Sequence, residues 1–186
     1  DREEIEDLKK DGLGIADDFL KDTESLLADS KPEEIGEFSG YEKFLVAMMR
    51  AELVEASKAK PAEVASAWKK TAQVARELKI PPSQAGPSMR RLAVLLKAKL
   101  FAEADKLTEA MVKADPENPE LKRRRLRVLI ERKSYNKAIA IGQEILPLSY
   151  GRNEFFVAES LAQALVEAKK FAEAGALVDR YLSREE

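Results

Sequence analysis

Three tetrapeptides, Phe101-Ala102-Glu103-Ala104, Tyr135-Asn136-Lys137-Ala138 and Phe171-Ala172-Glu173-Ala174, begin 34 and 36 residues apart. A weaker copy, Pro61-Ala62-Glu63-Val64, lies 40 residues before the first, and the extra length coincides with the proline-rich stretch Ile80-Pro81-Pro82-Ser83-Gln84-Ala85-Gly86-Pro87. Each copy follows a turn holding lysine: Lys58-Ala59-Lys60, Lys97-Ala98-Lys99, Arg132-Lys133-Ser134 and Lys169-Lys170. A period of this length marks stacked supersecondary units, because a single helix pair cannot bury its apolar face without a neighbour.

The apolar pattern states what each unit is. Before each tetrapeptide, Leu92, Val94, Leu95 and Leu96 correspond to Leu126, Val128, Leu129 and Ile130, then to Ala162, Ala164, Leu165 and Val166. After it run Ala104, Leu107 and Met111; Ala138, Ile141 and Ile145; and Ala174, Leu177 and Tyr181. Steps of three and four residues place these on one helix face, so each unit reads as helix, tight turn, helix. Ala, Leu, Glu and Lys dominate the chain, aromatics are 6% of it, and strand-favouring runs of Val, Ile and Thr are missing. At Asp115-Pro116-Glu117-Asn118-Pro119-Glu120 one helix stops at a proline and the next starts with Asn118 as N-cap and Pro119 in its first turn. Gly151-Arg152-Asn153 is expected to do the same before a helix starting near Glu154.

The N-terminal third is less regular. Helices are expected over about 2–10, 15–28, 41–57 and 61–78, with Gly12, Gly14, Gly36 and Gly40 as punctuation and a capping box at Ser30-Lys31-Pro32-Glu33. Terminal units of a stacked array must cover an otherwise open apolar face, so irregular sequence there suits a cap. The expected organisation is an N-terminal helical cap over 1–40, a divergent helix pair over 41–79, a proline-rich connection over 80–88 and three helix pairs over 89–186.

The 34-residue period, the aromatic opening the second helix, the alanine three residues later and the Asp-Pro-x-Asn joint together resemble the tetratricopeptide repeat, well over about 89–182 and weakly over 41–78. The chain departs from the family pattern at the first-helix tryptophan (Ser88, Lys122, Ala158), at its mid-helix glycine (Leu92, Leu126, Ala162) and at the later aromatic of the second helix (Thr108, Gly142, Val178). Small residues opposite the leucines are expected to offset them. The resemblance implies an all-α fold: a right-handed superhelical stack of antiparallel helix pairs, an α-solenoid, with the irregular helical cap at its N-terminus. It also implies that first helices line a concave groove serving as a protein–protein interaction surface.

Composition bears on chemistry by what it lacks. The chain has neither histidine nor cysteine, so the usual neutral-pH proton shuttle, the thiol nucleophile and the common transition-metal ligands are missing. Carboxylates such as Asp17-Asp18 are adjacent, and neighbours on a helix diverge by about 100°, so they do not share a site. Asp11-Gly12-Leu13-Gly14 lacks the preceding strand, third glycine and lysine of a phosphate loop and reads as a helix break. Leu92-Ala93-Val94-Leu95-Leu96 spells LxxLL, but its leucines occupy the repeating core positions. No enzymatic activity, cofactor or metal is expected. No run approaches the roughly 20 apolar residues of a membrane span. The chain opens at Asp1 with no Met and no apolar signal segment, so a fragment or processed product is expected, without its targeting sequence; cytoplasmic and exported locations stay open, as does oligomeric state.

With 32 basic and 34 acidic side chains, net charge points to no polyanionic partner. Local clustering does: Lys122-Arg123-Arg124-Arg125-Leu126-Arg127 is the densest basic run. In the repeat register Arg123 and Arg127 face the groove, Arg90 and Arg124 are equivalent positions at its edge, Lys97 joins it one unit earlier, and Arg91 and Arg125 lean toward helix-pair contacts. The planar guanidinium fork suits carboxylates and phosphates. The expected peptide-binding set is therefore Arg90, Lys97, Arg123, Arg124 and Arg127, taking an acidic or C-terminal peptide segment. A solvated face paired with Glu120, Glu131 and glutamates of neighbouring helices is the alternative for the same run. In the last unit the surface becomes Phe156, Glu159, Gln163, Val166 and Glu167. Nucleic-acid binding is a weaker second function, because no aromatics interleave the arginines for base stacking. A structural or assembly role through an exposed repeat end is the third.

Overall fold

The computed structural model describes residues 37–57 and 59–183, together with Gly12, Gly14 and Asp18. These form eight α-helices: α1 (Glu37–Ala56), α2 (Pro61–Glu77), α3 (Ala85–Lys97), α4 (Phe101–Ala114), α5 (Pro119–Glu131), α6 (Tyr135–Ile145), α7 (Arg152–Glu167) and α8 (Phe171–Leu182), with a 3-10 turn at Leu146–Leu148. No strand occurs among the described residues. Helices α4, α6 and α8 open on Phe101, Tyr135 and Phe171, the aromatics that set the sequence period.

The turns before them repeat to the level of single dihedrals. Lys99, Lys133 and Lys169 take φ of 57°, 61° and 61°, the left-handed region that a Cβ disfavours. Helix α5 ends as Lys133 N donates to Ile130 O and Ser134 N to Leu129 O, both at 2.8 Å. Helix α7 ends the same way, with Lys169 N to Val166 O at 2.9 Å and Lys170 N to Leu165 O at 2.8 Å. These paired bonds satisfy two last-turn carbonyls and reverse the chain.

The chain divides into two compact units, Asp1–Pro81 with Met89–Lys99, and Pro82–Ser88 with Leu100–Glu186. In the first, α1 packs on α2, burying Phe44, Ala51, Trp68, Ala72 and Ala75. Thr71 Oγ1 donates to Ala47 O of α1 at 2.9 Å, so a buried hydroxyl keeps a partner. Leu92, Val94 and Leu95 of α3 are buried and Leu96, the last leucine of LxxLL, is half-buried.

In the second unit each helix from α4 to α8 packs on the next, and α5 also touches α7. Its core gathers Leu126, Leu129, Ala138, Ile139, Ile145, Val157, Leu161 and Leu165; burying one such Leu or Ile contributes about 1.5–3 kcal/mol. The alanines Ala104, Ala138 and Ala174 are all buried. A Cβ on Gly142 would stand 3.1 and 3.2 Å from Leu161 Cδ1 and Cβ, so a hydrogen side chain on α6 lets a leucine of α7 sit against the backbone. This close approach is to Leu161, not to Leu92 or Leu126, the leucines for which small neighbours were expected.

Several expectations change. Gly12 and Gly14 are themselves helical, not a break; a Cβ on Gly12 would meet the Leu53 side chain at 3.6 Å, an ordinary van der Waals contact, so packing on α1 does not require glycine there. Gly40 likewise lies inside α1. Helix α3 starts at Ala85, within the stretch expected to be a connection, because a proline in a first turn loses no hydrogen bond. Helix α7 starts at Arg152 on Gly151, whose φ of 57° with ψ of −137° is a combination open to glycine and not to the left-handed lysines, and there is no side-chain cap. Val166, which the sequence placed both in the apolar pattern and on the last unit's surface, is 48% exposed and belongs to the surface. The expected helices over 2–10 and 15–28 and the capping box at 30–33 otherwise lie outside the described residues.

Candidate functional site

The basic run sits on α5, and its register is held from the N-terminus. Asn118 Oδ1 accepts from Glu120 N at 3.1 Å and Leu121 N at 3.4 Å, so the predicted cap is formed. Its side-chain amide donates to Asp115 Oδ2 at 2.9 Å, bracing the joint. Leu126, Val128 and Leu129 then turn inward. At about 100° per residue the intervening cations must point in different directions.

They do. Lys122 reaches Glu144 of α6 at 2.7 Å, and that bond raises the lysine above its ordinary pKa. Arg123 and Arg124 both pair with Glu120, one turn earlier on the same helix, the second at 2.9 Å. Arg125 leans toward α4, as the register required, with Nε 3.6 Å from Asp105 Oδ1 and a terminal nitrogen 3.6 Å from Glu109 Oε1. The Arg125 guanidinium, and then Lys113, hold the Glu109 carboxyl below its usual range. Arg127 is exposed, and among the described residues it has no carboxylate partner.

Arg123, Arg124 and Arg127 line an open cleft of about 550 Å³ between α5 and α7. Leu126 and Val157 form its floor, and Phe156, Glu159, Ser160 and Gln163 of α7 form the facing wall. Phe156 is 55% exposed, an apolar surface next to cations. Glu120 and Glu131 share the cleft, so its basic character is partly neutralised from within. Of the surface expected in the last unit, Phe156, Glu159 and Gln163 line the cleft and Val166 and Glu167 do not.

The other two residues of the expected set belong to the first unit. Arg90 is exposed. Lys97 Nζ bonds both oxygens of Glu55, at 2.7 and 2.9 Å, and lies 5.7 Å from the Trp68 ring centre. Trp68 is buried and donates through Nε1 to Glu55 Oε2 at 3.2 Å. The bond from Lys97 holds the Glu55 carboxyl below its ordinary range. Lys97 is thus engaged in a Lys–Glu–Trp cluster.

Sequence reasoning missed Asp105. Its side chain is 6% exposed, near Arg125 and bonded to Arg132 across the joint between α4 and α5. The signal was available: in the repeat register Asp105 falls where the next unit has buried Ile139, and an acid in an apolar slot needs a cation.

Among the described residues no cluster of three or more His, Cys, Asp or Glu could hold a metal, and no helix is long and apolar enough to cross a membrane. Fold and cleft together define an all-α protein in which α4 to α8 pack in succession and carry a polar, arginine-edged cleft. Family models, curated proteins and solved structures contain no match to the chain.

Proposed function

We propose that the chain is a tetratricopeptide-like α-solenoid and a non-enzymatic interaction scaffold, whose cleft between α5 and α7 takes an extended segment of a partner protein. Support for the solenoid is the thrice-repeated left-handed lysine turn and the contact between the successive first helices α5 and α7. The binding reading is carried by one juxtaposition: Arg127, with no carboxylate partner among the described residues, in the same cleft as the exposed Phe156. A segment offering a carboxylate to Arg127 and an apolar side chain to Phe156 would meet both demands, with guanidinium recognition supplying direction. Nucleic acid gains no support, because Arg123 and Arg124 already share Glu120, and Glu131 and Glu159 would repel a phosphate backbone.

The test is a peptide array of acidic segments with and without a neighbouring aromatic or leucine, read against three variants. Arg127→Glu should weaken the best binder by roughly tenfold or more, as expected for loss of a charge-assisted contact. Phe156→Ala should weaken it too, and Arg124→Ala should matter less. Indifference to Arg127→Glu would sink the reading.

A further inference from the structure

In the second unit, α6 is covered by α7: Gly142, Ile145 and Leu146 are buried at that joint. Thirty-six residues on, the register places Val178 where α6 has Gly142 and Tyr181 where it has Ile145. Val178 is 46% exposed, and a Cβ on Gly175 would meet nothing within 4 Å, so the outer face of α7 and α8 is open. That face holds a mostly apolar hollow of about 470 Å³ lined by Ala158, Ala162, Leu177 and Val178, with Phe155, Tyr181 and the carboxylate of Glu159 at its side. Phe155 is 61% exposed, yet it is fixed in place. The Tyr181 ring meets it edge-on at 5.7 Å, and the Tyr181 hydroxyl donates to Glu154 at 2.8 Å. A rim aromatic held this way loses little freedom on association.

We propose that this face pairs with the same face of a second copy of the chain about a two-fold axis near Phe155. An isologous contact requires one patch to carry both halves of the fit. Here the projecting Phe155 and the hollow are neighbours on one face. The charges have the same property. Along α7 the stripe Arg152, Phe155, Glu159, Ala162 advances by three, four and three residues and stays on one side of the helix. Arg152 and Glu159 are exposed, and neither has a partner among the described residues. Antiparallel pairing of two such stripes about Phe155 sets Arg152 of each copy against Glu159 of the other. The face is two short helices wide, at the low end of specific interface sizes, so the dimer is weak and concentration-dependent.

Sedimentation equilibrium of the full chain from about 10 μM to 1 mM tests this, with circular dichroism confirming that each variant keeps its helix content. The wild-type chain should show a reversible monomer–dimer equilibrium, and Phe155→Glu should abolish it. Arg152→Glu should weaken it roughly tenfold by turning two exposed ion pairs into repulsions, and Arg152→Glu combined with Glu159→Arg should restore it. A monomer at every concentration, a dimer indifferent to Phe155→Glu, or a charge swap that fails to restore pairing overturns the proposal. Should Phe155→Glu not fold, the charge-swap series decides by itself.

Discussion

Lysine in the left-handed region costs about 1–2 kcal/mol relative to glycine, through the clash of Cβ with the following carbonyl. Glycine gives back about 0.5–1 kcal/mol in unfolded-state freedom. Lys133, at φ 61°, should therefore be improvable: Lys133→Gly should stabilise the protein by about 0.5–1 kcal/mol, read as a higher urea midpoint at unchanged slope. Lys97 and Glu55 make a second residue-scale case. Glu55 is held below its ordinary value of 4.5, first by the bond from Lys97. A carboxyl lowered in the folded state contributes stability fully present above its unfolded value and lost as pH falls through the folded one. Both side chains are more than a third exposed (52% and 42%), so the contribution stays below about 1 kcal/mol. Stability should drop as pH falls below 4.5, and Lys97→Met should flatten that part of the profile. Neither feature could be read beforehand: a lysine in a turn does not announce its φ, and the contact of Lys97 with Glu55 spans forty-two positions.

At the scale of elements, periodicity made α4 to α8 legible because each buries one stripe at regular steps. It could not divide one basic run into separate destinations. Lys122 goes to α6, Arg125 to α4, Arg123 and Arg124 to their own helix, and Arg127 to the cleft. Rotation about α5 predicts that the directions differ; which carboxylate waits in each is set by neighbouring helices. The joint between α4 and α5 closes on Asp105 with Arg125 and Arg132, whereas the joint between α6 and α7 closes on Ile139 and Leu161. Removing one partner of a buried ion pair strands the other, while replacing the pair by apolar residues can be neutral. Asp105→Ala should cost about 2 kcal/mol, toned down from the fully buried case because Arg132 is 40% exposed. Asp105→Ile with Arg125→Leu, importing the next joint's chemistry, should cost less than the single change; a larger loss would show that the ion pair specifies this joint. Chemical denaturation of the three proteins decides it.

At the scale of the molecule, the net charge of −2 hides a division. Residues 1–36 carry thirteen acidic and five basic side chains, and residues 37–186 carry twenty-one and twenty-seven. The long remainder containing the cleft is therefore net basic, and a whole-chain sum was the wrong quantity for judging partners. Charges too far apart to touch still shape the potential an approaching ligand crosses, within a Debye length of about 10 Å at 0.1 M salt. At low salt, where the Debye length grows to about 30 Å, the charge of residues 1–36 should slow the encounter of an acidic segment without any contact with it. Neutralising Glu3, Glu4, Glu6 and Asp7 to their amides keeps the chain whole while removing four charges. Stopped-flow association with an acidic peptide should then be faster at low salt by several-fold, with the dissociation rate unchanged, and the gain should vanish by about 0.5 M salt. A gain that survives high salt, or that appears in the dissociation rate, would instead mean that those residues contact the bound ligand or compete for its cleft.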